Sequence, residues 1–236
     1  MHPFGHSIRD TQALPTGFTI LDRALGIGGL PRGRITEIFG PANCGKTALA
    51  LQAIAHGQRT ETAAAWIDAE HAFDPGFAAK LGVDLERMPV AVPSSAEEAL
   101  EMTRRLAASG AIDLVVVDSA AALVPQIELE AGMAAGSASL QGRVLGSELR
   151  RLVSVVRRSG VAILFLNQTR TRLEASAGEL ETSAGGPSLK LYSAVRIALA
   201  ATGRMVRFRV LKNELAAPFT TGELQWRPGS GFVEGP

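Results

Sequence analysis

The segment from Gly40 to Thr47 has the residue types needed to hold the phosphates of a nucleotide. Glycines at its two turns let successive backbone N–H groups point inward around a phosphate group. Lys46 offers a mobile cation for the β- and γ-phosphates, and the hydroxyl of Thr47 is suited to binding Mg²⁺. We therefore predict a nucleoside-triphosphate site whose contacting residues are Gly40, Pro41, Ala42, Asn43, Cys44, Gly45, Lys46 and Thr47.

The flanking sequence places this loop between a strand and a helix. Residues 35–39 (ITEIF) have the pattern of a buried strand, and residues 48–55 (ALALQAIA) have that of a helix. A helix N-terminus favours an anion, because its free N–H groups and its dipole both point toward the bound group. Cys44 lies inside the loop, and we expect it to fill a variable position as a small side chain. The alternative is a reactive thiol acidified by the helix end.

Polar residues follow three further predicted strands, at the edge of the sheet where ligands of parallel sheets bind. Asp118 follows the apolar run LVVV and is expected to position Mg²⁺ through water, the alternative being a helix cap. Glu70 follows the run AAAWI and would act as general base for the attacking water, although spacing alone does not fix its direction. Gln168 follows the run VAILFL and would sense the γ-phosphate by hydrogen bonding, a role that only its position supports.

The composition excludes several classes of protein. The chain has 236 residues, of which 46% are hydrophobic and 20% are charged, as in globular proteins. Its net charge of +1 creates no global field that would attract nucleic acid, so any such binding needs a local cluster. Its apolar runs are too short to span a bilayer, its N-terminus lacks a signal-peptide core, and its one cysteine excludes an internal disulfide. We therefore expect a cytoplasmic protein without a membrane partner.

The alternation of strand and helix patterns from Thr16 onward predicts an α/β fold with a mostly parallel sheet. We expect two segments, an irregular N-terminal arm over residues 1–15 and a core over residues 16–236. Within the core, Ser95 with Glu98 three residues later predicts a capping box at the start of the helix that follows.

The second half of the core is expected to contain a helix, a long loop and a hairpin. Residues 140–159 have helical periodicity and several arginines. Residues 171–188 are rich in Ala, Ser, Gly and Glu without a period, which predicts a long mobile loop of functional or disordered character. Residues 195–200 and 205–211 are predicted to pair as a hairpin, since the second run alternates apolar residues with arginines. A last strand is predicted at residues 222–226.

Six segments of the chain, in the same order, resemble the bacterial RecA family. They are LGIGGLPRGR (25–34), GPANCGKT (40–47), IDAEHAFDP (67–75), VVDSAAALVP (116–125), NQTR (167–170) and GG (185–186). The resemblance runs from about Thr16 to Phe219. It implies a RecA-type P-loop NTPase core, with a mostly parallel twisted sheet flanked by helices and a C-terminal antiparallel hairpin, that binds ATP and Mg²⁺.

The same resemblance implies roles for individual residues. Glu70 would be the catalytic glutamate, Asp74 and Phe77 would flank the adenine, and Gln168 would couple the nucleotide state to DNA. Residues 128–139 and 171–188 would be the two DNA-binding loops. The residues implied in contacting single-stranded DNA are Arg143, Arg150, Arg170, Gly185 and Gly186. The alternative for the arginines is that they form a solvated helix face.

Other positions depart from the RecA pattern. The arm before the core and the few residues after Trp226 suggest that RecA's N-terminal filament contact and its C-terminal domain are missing. Ser176 and Ala177 stand where RecA has large apolar residues that could wedge between bases. At RecA's subunit interface, Leu191 replaces a phenylalanine. Glu214 replaces the second of two lysines that reach the neighbouring subunit's nucleotide, so we expect weakened cooperative hydrolysis.

Three functions are compatible with this sequence. The first is a DNA-dependent ATPase that binds single-stranded DNA in homologous recombination and DNA repair. The second is a non-filamenting accessory factor, similar to ImuA, that acts through protein partners in damage-tolerant DNA synthesis. A nucleotide-binding relic without a DNA function is the third. The expected partners are single-stranded DNA and either further copies of the chain or a repair protein.

Overall fold

The computed structural model of this chain describes residues 12–131, 138–170, 182–184 and 186–234. Residues 1–11 of the predicted arm and residues 171–181 of the predicted long loop, including Ser176 and Ala177, lie outside these ranges. The division into an arm and a core therefore stays a prediction. Two residues assigned to the arm, Ala13 and Leu14, form a short strand that pairs with Leu30–Pro31.

The described strands are β1 (Ala13–Leu14), β2 (Leu30–Pro31), β3 (Ile35–Gly40), β4 (Ala64–Asp68), β5 (Val90–Ala91), β6 (Leu114–Asp118), β7 (Ala162–Arg170), β8 (Thr182–Ser183), β9 (Val195–Thr202), β10 (Met205–Asn213), β11 (Thr221–Arg227) and β12 (Gly231–Glu234). The described helices are α1 (Thr19–Leu25), α2 (Lys46–Gln58), α3 (Pro75–Lys80), α4 (Ala96–Ala108), α5 (Gln126–Ala131), α6 (Ala138–Ser159) and α7 (Pro187–Tyr192). Short 3₁₀ turns cover Leu85–Arg87 and Ala120–Ala122.

Nine of these strands form one sheet in the order β12-β11-β10-β9-β3-β7-β6-β4-β5, and β8 pairs with the end of β7. The strands from β9 to β5 in this order run parallel, and β9 to β12 are joined as antiparallel neighbours. The predicted fold, a mostly parallel α/β sheet that ends in an antiparallel hairpin, is thus confirmed.

Apolar side chains fill both faces of the sheet. On one face α2 packs with Leu49, Leu51 and Ile54, each 1–2% exposed, against the strands. On the other face α4 and α6 contribute a second cluster around Leu149, which is fully buried. The interior strand β6 is buried on both faces because helices cover them both. All six residues of β3, which leads into the phosphate loop, are also buried, so the loop begins inside a three-layer core.

Several local predictions are confirmed, and one needs adjustment. Ser95 caps α4 by accepting a hydrogen bond from the N–H of Glu98, at 3.2 Å. The Glu98 carboxylate, however, accepts from the N–H of Ser94 at 2.7 Å, one residue before the position that a regular capping box uses. In the hairpin, Val206 and Phe208 are buried as the alternation predicts.

Parts of the predicted loops are regular, which corrects their limits. Helix α5 extends through residues 126–131, into the region assigned to the first DNA-binding loop. Helix α7 begins at Pro187, inside the segment predicted to be irregular as far as residue 188, and Thr182–Ser183 forms β8. A six-residue helix is too short to show a hydrophobic period in the sequence. Proline at the first position of α7, after a glycine, is nevertheless a helix-start signal. Within the described residues, no helix has the length and apolar character of a membrane span.

Candidate nucleotide-binding site

The predicted phosphate loop connects β3 to α2 at the centre of the sheet. Gly45, just before the helix, has a φ of 91°, and Asn43 has a φ of 60°, so the loop turns through left-handed backbone positions. Helix α2 begins at Lys46, which leaves its first N–H groups directed at the loop. This is the strand–loop–helix context in which a phosphate binds.

Lys46 is folded back over the loop that precedes it. Its Nζ donates to the carbonyl oxygens of Gly40 at 3.0 Å and Pro41 at 2.7 Å. The side chain is 9% exposed, so its charge is held inside the site by these carbonyl groups. A triphosphate would offer this ammonium group stronger, charged acceptors than two carbonyl oxygens.

Thr47 and Asp118 meet across the sheet, although 71 positions separate them in the chain. The Thr47 hydroxyl donates to Oδ2 of Asp118 at 2.9 Å. Burial raises the pKa of Asp118 to about 6, and the charge of Glu70 adds to this effect, while Thr47 and Lys46 oppose it. Hydroxyl and carboxylate oxygens are ligands of the kind that Mg²⁺ binds. The pair therefore fits the predicted metal-binding role in its chemistry.

Glu70 and Gln168 lie side by side at the strand ends. The side-chain amide of Gln168 donates to Oε1 of Glu70 at 3.1 Å. The Ser119 hydroxyl donates to the same oxygen. The sequence analysis assigned no role to Ser119, although it follows Asp118 directly within the segment 116–125. Two donors on one oxygen orient the Glu70 carboxylate, and no hydrogen bond to its other oxygen comes from the part of the chain that the structure describes.

The turn that carries Glu70 is fixed from both sides. The buried carboxylate of Asp68 accepts hydrogen bonds from the N–H groups of Ala72 and Phe73, at 3.1 and 3.0 Å. The N–H of Glu70 donates to the Asp118 carbonyl oxygen at 3.1 Å. Asp68 thus holds the shape of this turn, a role that sequence reasoning did not assign.

A cleft of about 420 Å³ extends from the loop toward the C-terminal strands. Its lining includes the loop from Ala42 to Thr47 together with Glu70, Phe77, Asp118 and Gln168. Trp226 and Phe232, which sequence reasoning missed, form the aromatic wall at the other end, where the Phe77 and Trp226 ring centroids lie 6.4 Å apart. Asp74 does not line this cleft: it caps α3 by accepting from the N–H of Phe77 at 2.9 Å. Its role beside an adenine stays a prediction.

Cys44 packs into the interior of the loop. Its side chain is 1% exposed, and burial raises the pKa of its thiol. A buried thiol of raised pKa is a poor nucleophile. These observations favour the small filler over the reactive thiol.

The predicted DNA-contacting residues lie partly on a groove between α6 and α7. Arg143 and Arg150 are exposed and line this groove, and Nε of Arg150 lies 3.4 Å from the Tyr192 hydroxyl. Gly186 precedes α7 with a φ of 76°. Arg170 is the last residue of β7, and Gly185 lies outside the described residues. Their contacts with DNA remain predictions.

Glu214, which departs from the RecA pattern, forms an ion pair of 2.8 Å with Lys212, which keeps it. Lys212 also donates to three carbonyl oxygens at the end of α7, the shortest contact being 2.6 Å to Ser193. The charge of Lys212 is therefore engaged within its own chain.

Comparison with known proteins adds a consistent result. The family model described as the RecA N-terminal domain matches residues 3–233. Proteins named Protein RecA are similar over nearly the whole chain: the one from Thioalkalivibrio sulfidiphilus is 43% identical over 96% of this chain and 69% of its own length. The Protein RecA of Chlorobaculum tepidum is 44% identical over 96% of this chain and 68% of its own length. That of Thermus aquaticus is 46% identical over 93% of this chain and 68% of its own length.

Proposed function

This chain belongs to the RecA family, and we propose that it is an ATPase that binds single-stranded DNA in homologous recombination and DNA repair. The observation that carries the proposal is the convergence of five functional side chains on one cleft. The cleft is lined by Lys46 and Thr47 from the phosphate loop, Asp118 from β6, Glu70 after β4 and Gln168 from β7.

Each of these side chains has a role in ATP hydrolysis that its contacts support. Lys46 would exchange the carbonyls of Gly40 and Pro41 for the β- and γ-phosphates. Thr47 and Asp118 would hold Mg²⁺, which when bound neutralises charge on the phosphates. Oriented by Ser119 and Gln168, the Glu70 carboxylate would accept the proton of the attacking water.

The route from nucleotide to DNA is short in the chain. Gln168, hydrogen-bonded to the proposed base Glu70, lies two residues before Arg170, where β7 ends and the proposed second DNA-binding segment begins. A change in the Gln168 contact on hydrolysis would therefore be transmitted along the end of β7, which pairs with β3 at Gln168 and with β8 at Thr169 and Arg170. Phosphate contacts from Arg143, Arg150 and Arg170 would supply affinity for the backbone of DNA without reading its sequence.

A second candidate function is favoured by one specific contact. The ion pair of Lys212 with Glu214, at 2.8 Å, removes a free cation from the position that would serve a neighbouring copy's nucleotide. A non-filamenting accessory factor, which binds ATP but acts through repair-protein partners, would have no need of that cation. In either role we propose a cytoplasmic protein whose core spans residues 16–236.

Hydrolysis of ATP measured with and without single-stranded DNA separates the two candidates. Glu70→Ala serves as the blank, because it removes the proposed base and leaves the phosphate loop intact. Turnover that rises with DNA in the wild type and is lost in Glu70→Ala supports the ATPase that binds single-stranded DNA. ATP binding without DNA-dependent turnover would instead favour the accessory factor.

A further inference from the structure

Strand β12 is held against the helix of the phosphate loop by one side chain. The amide of Gln52, on α2, accepts a hydrogen bond from the N–H of Phe232 at 2.7 Å and donates to the Phe232 carbonyl at 3.1 Å. It also lies 3.5 Å from the Ser230 carbonyl oxygen. The primary amide therefore acts as the next strand would, since it satisfies both polar groups of an edge residue.

The close approach of this strand depends on a glycine. Gly231 has a φ of 79°, and a Cβ built on it would lie 2.5 Å from Oε1 of Gln52. Any other residue would be strained at this φ and would have to displace the Gln52 amide or move the strand away from α2. Glycine at position 231 therefore allows the Gln52 amide to contact the backbone of β12.

The clamped residue forms a wall of the nucleotide cleft. Phe232 is 3% exposed, and its ring lies directly on the phosphate loop, because a Cβ built on Gly45 would be 2.3 Å from its Cζ. Phe232 is the cross-strand partner of Trp226, and the two rings meet edge to face with centroids 5.2 Å apart. Trp226 in turn faces Phe77 across the cleft.

We infer that Gln52 is a positioning residue: by clamping Phe232 to α2, it fixes Trp226 where a nucleotide base stacks. This inference rests on the proposed function, since it needs a nucleotide in the cleft. A flat aromatic surface binds a base through stacking, which contributes only when the ring is held in place. Gln52 is not among the described residues that line the cleft, and it supports the site through Phe232 and Trp226, so we expect its loss to act at the base end of the site.

The same helix carries a matched control. Gln58 makes an equivalent amide clamp at the end of α2, donating to the Asp84 carbonyl and accepting from the Asp84 N–H, both at 2.8 Å. Its clamp holds a turn that does not line the cleft. Gln58→Met therefore removes an equivalent pair of amide hydrogen bonds, at a position away from the nucleotide site.

The test compares binding of ATP and of inorganic tripolyphosphate, each with Mg²⁺, to the wild type and to both variants. Gln52→Met should weaken ATP binding about fivefold to tenfold and leave tripolyphosphate binding unchanged, while Gln58→Met changes neither. Wild-type affinity for ATP in Gln52→Met, or an equal loss for both ligands, would overturn the inference. Failure of the wild type to bind either ligand would instead refute the proposed nucleotide site.

If Gln52→Met does not fold, Gln52→Glu provides a second test. Glutamate keeps an acceptor for the Phe232 N–H and loses the donor to the Phe232 carbonyl. Its second oxygen faces and repels the Phe232 carbonyl, so we expect ATP affinity to fall at least as much as in Gln52→Met, again without a change for tripolyphosphate. Equal affinity of Gln52→Glu and the wild type for ATP would count against the clamp.

Discussion

Replacing Asp118 by asparagine should make the folded protein more stable while it removes the proposed metal ligand. The carboxylate is buried between Thr47, Lys46 and Glu70, and burial raises its pKa from 3.8 to about 6. The ionised form is thus less favourable in the folded chain than in the unfolded chain. Asparagine keeps the size and a partner for the Thr47 hydroxyl but carries no charge.

The expected gain follows from the pKa of Asp118. A tenfold change in proton affinity is worth about 1.4 kcal/mol, so Asp118→Asn should raise the free energy of unfolding at pH 8 by about 2 to 3 kcal/mol. The stability that protonated Asp118 contributes is fully present below pH 3.8 and is lost as the pH rises through about 6. The difference between the two proteins should therefore disappear near pH 4.

Urea unfolding of the nucleotide-free protein at pH 4 to 8 measures this effect. Asp113→Asn is the control of opposite sign, because Asp113 accepts from Arg32 at 2.8 Å and from the N–H of Ala63 at 2.9 Å. Its loss should destabilise the protein by about 1 to 2 kcal/mol. In a parallel assay of the nucleotide-free wild type, the affinity for Mg²⁺ should fall as the pH drops through about 6, because the proton competes with the cation for Asp118.

One result would refute this reasoning about Asp118. If Asp118→Asn is less stable than the wild type at pH 8, the contacts with Thr47 and Lys46 outweigh the cost of burial. The ionised carboxylate would then stabilise the nucleotide-free protein, and its pKa in the folded chain would not be raised.

Two further substitutions test the core and the subunit contact. Glu37→Gln should lower the free energy of unfolding, measured in urea, by about 3 to 5 kcal/mol. The reason is that Arg196, which pairs with Glu37 at 2.5 Å, would remain as a buried charge without an opposite charge. A loss of stability below about 1 kcal/mol would contradict this prediction. Glu214→Lys should change stability by no more than about 1 kcal/mol, since this exposed pair contributes little. It should raise DNA-dependent hydrolysis at least ~tenfold if copies stack so that this position reaches a neighbour's nucleotide, and an unchanged rate would show that they do not.

The parts of the site that lie in continuous segments could be predicted from the sequence. The phosphate loop is one run of eight residues, and its strand and helix flank it directly. Asp118, Glu70 and Gln168 could be grouped because parallel strands bring their carboxyl ends to one edge. The contact of Thr47 with Asp118 and that of Gln168 with Glu70 follow from this rule.

The wall at the base end could not be predicted, because it depends on the docking of the last two strands. Gln52 and Phe232 are 180 positions apart, and β12 has only four residues, too few for a clear alternation. Trp226 carried a signal as an aromatic residue in a predicted strand, but its side of the strand depends on register. The Asp74–Pro75 pair is a helix-start signal in the sequence. From this local pattern alone, Asp74 could have been predicted to cap α3.

Calorimetric titration of the wild type with ATP and Mg²⁺ tests the nucleotide site most directly. We predict one ATP bound per chain, with binding abolished in Lys46→Ala, since that change removes the only cation among the described residues that line the cleft. The absence of binding to the wild type would contradict the assignment of the cleft and every function proposed from it.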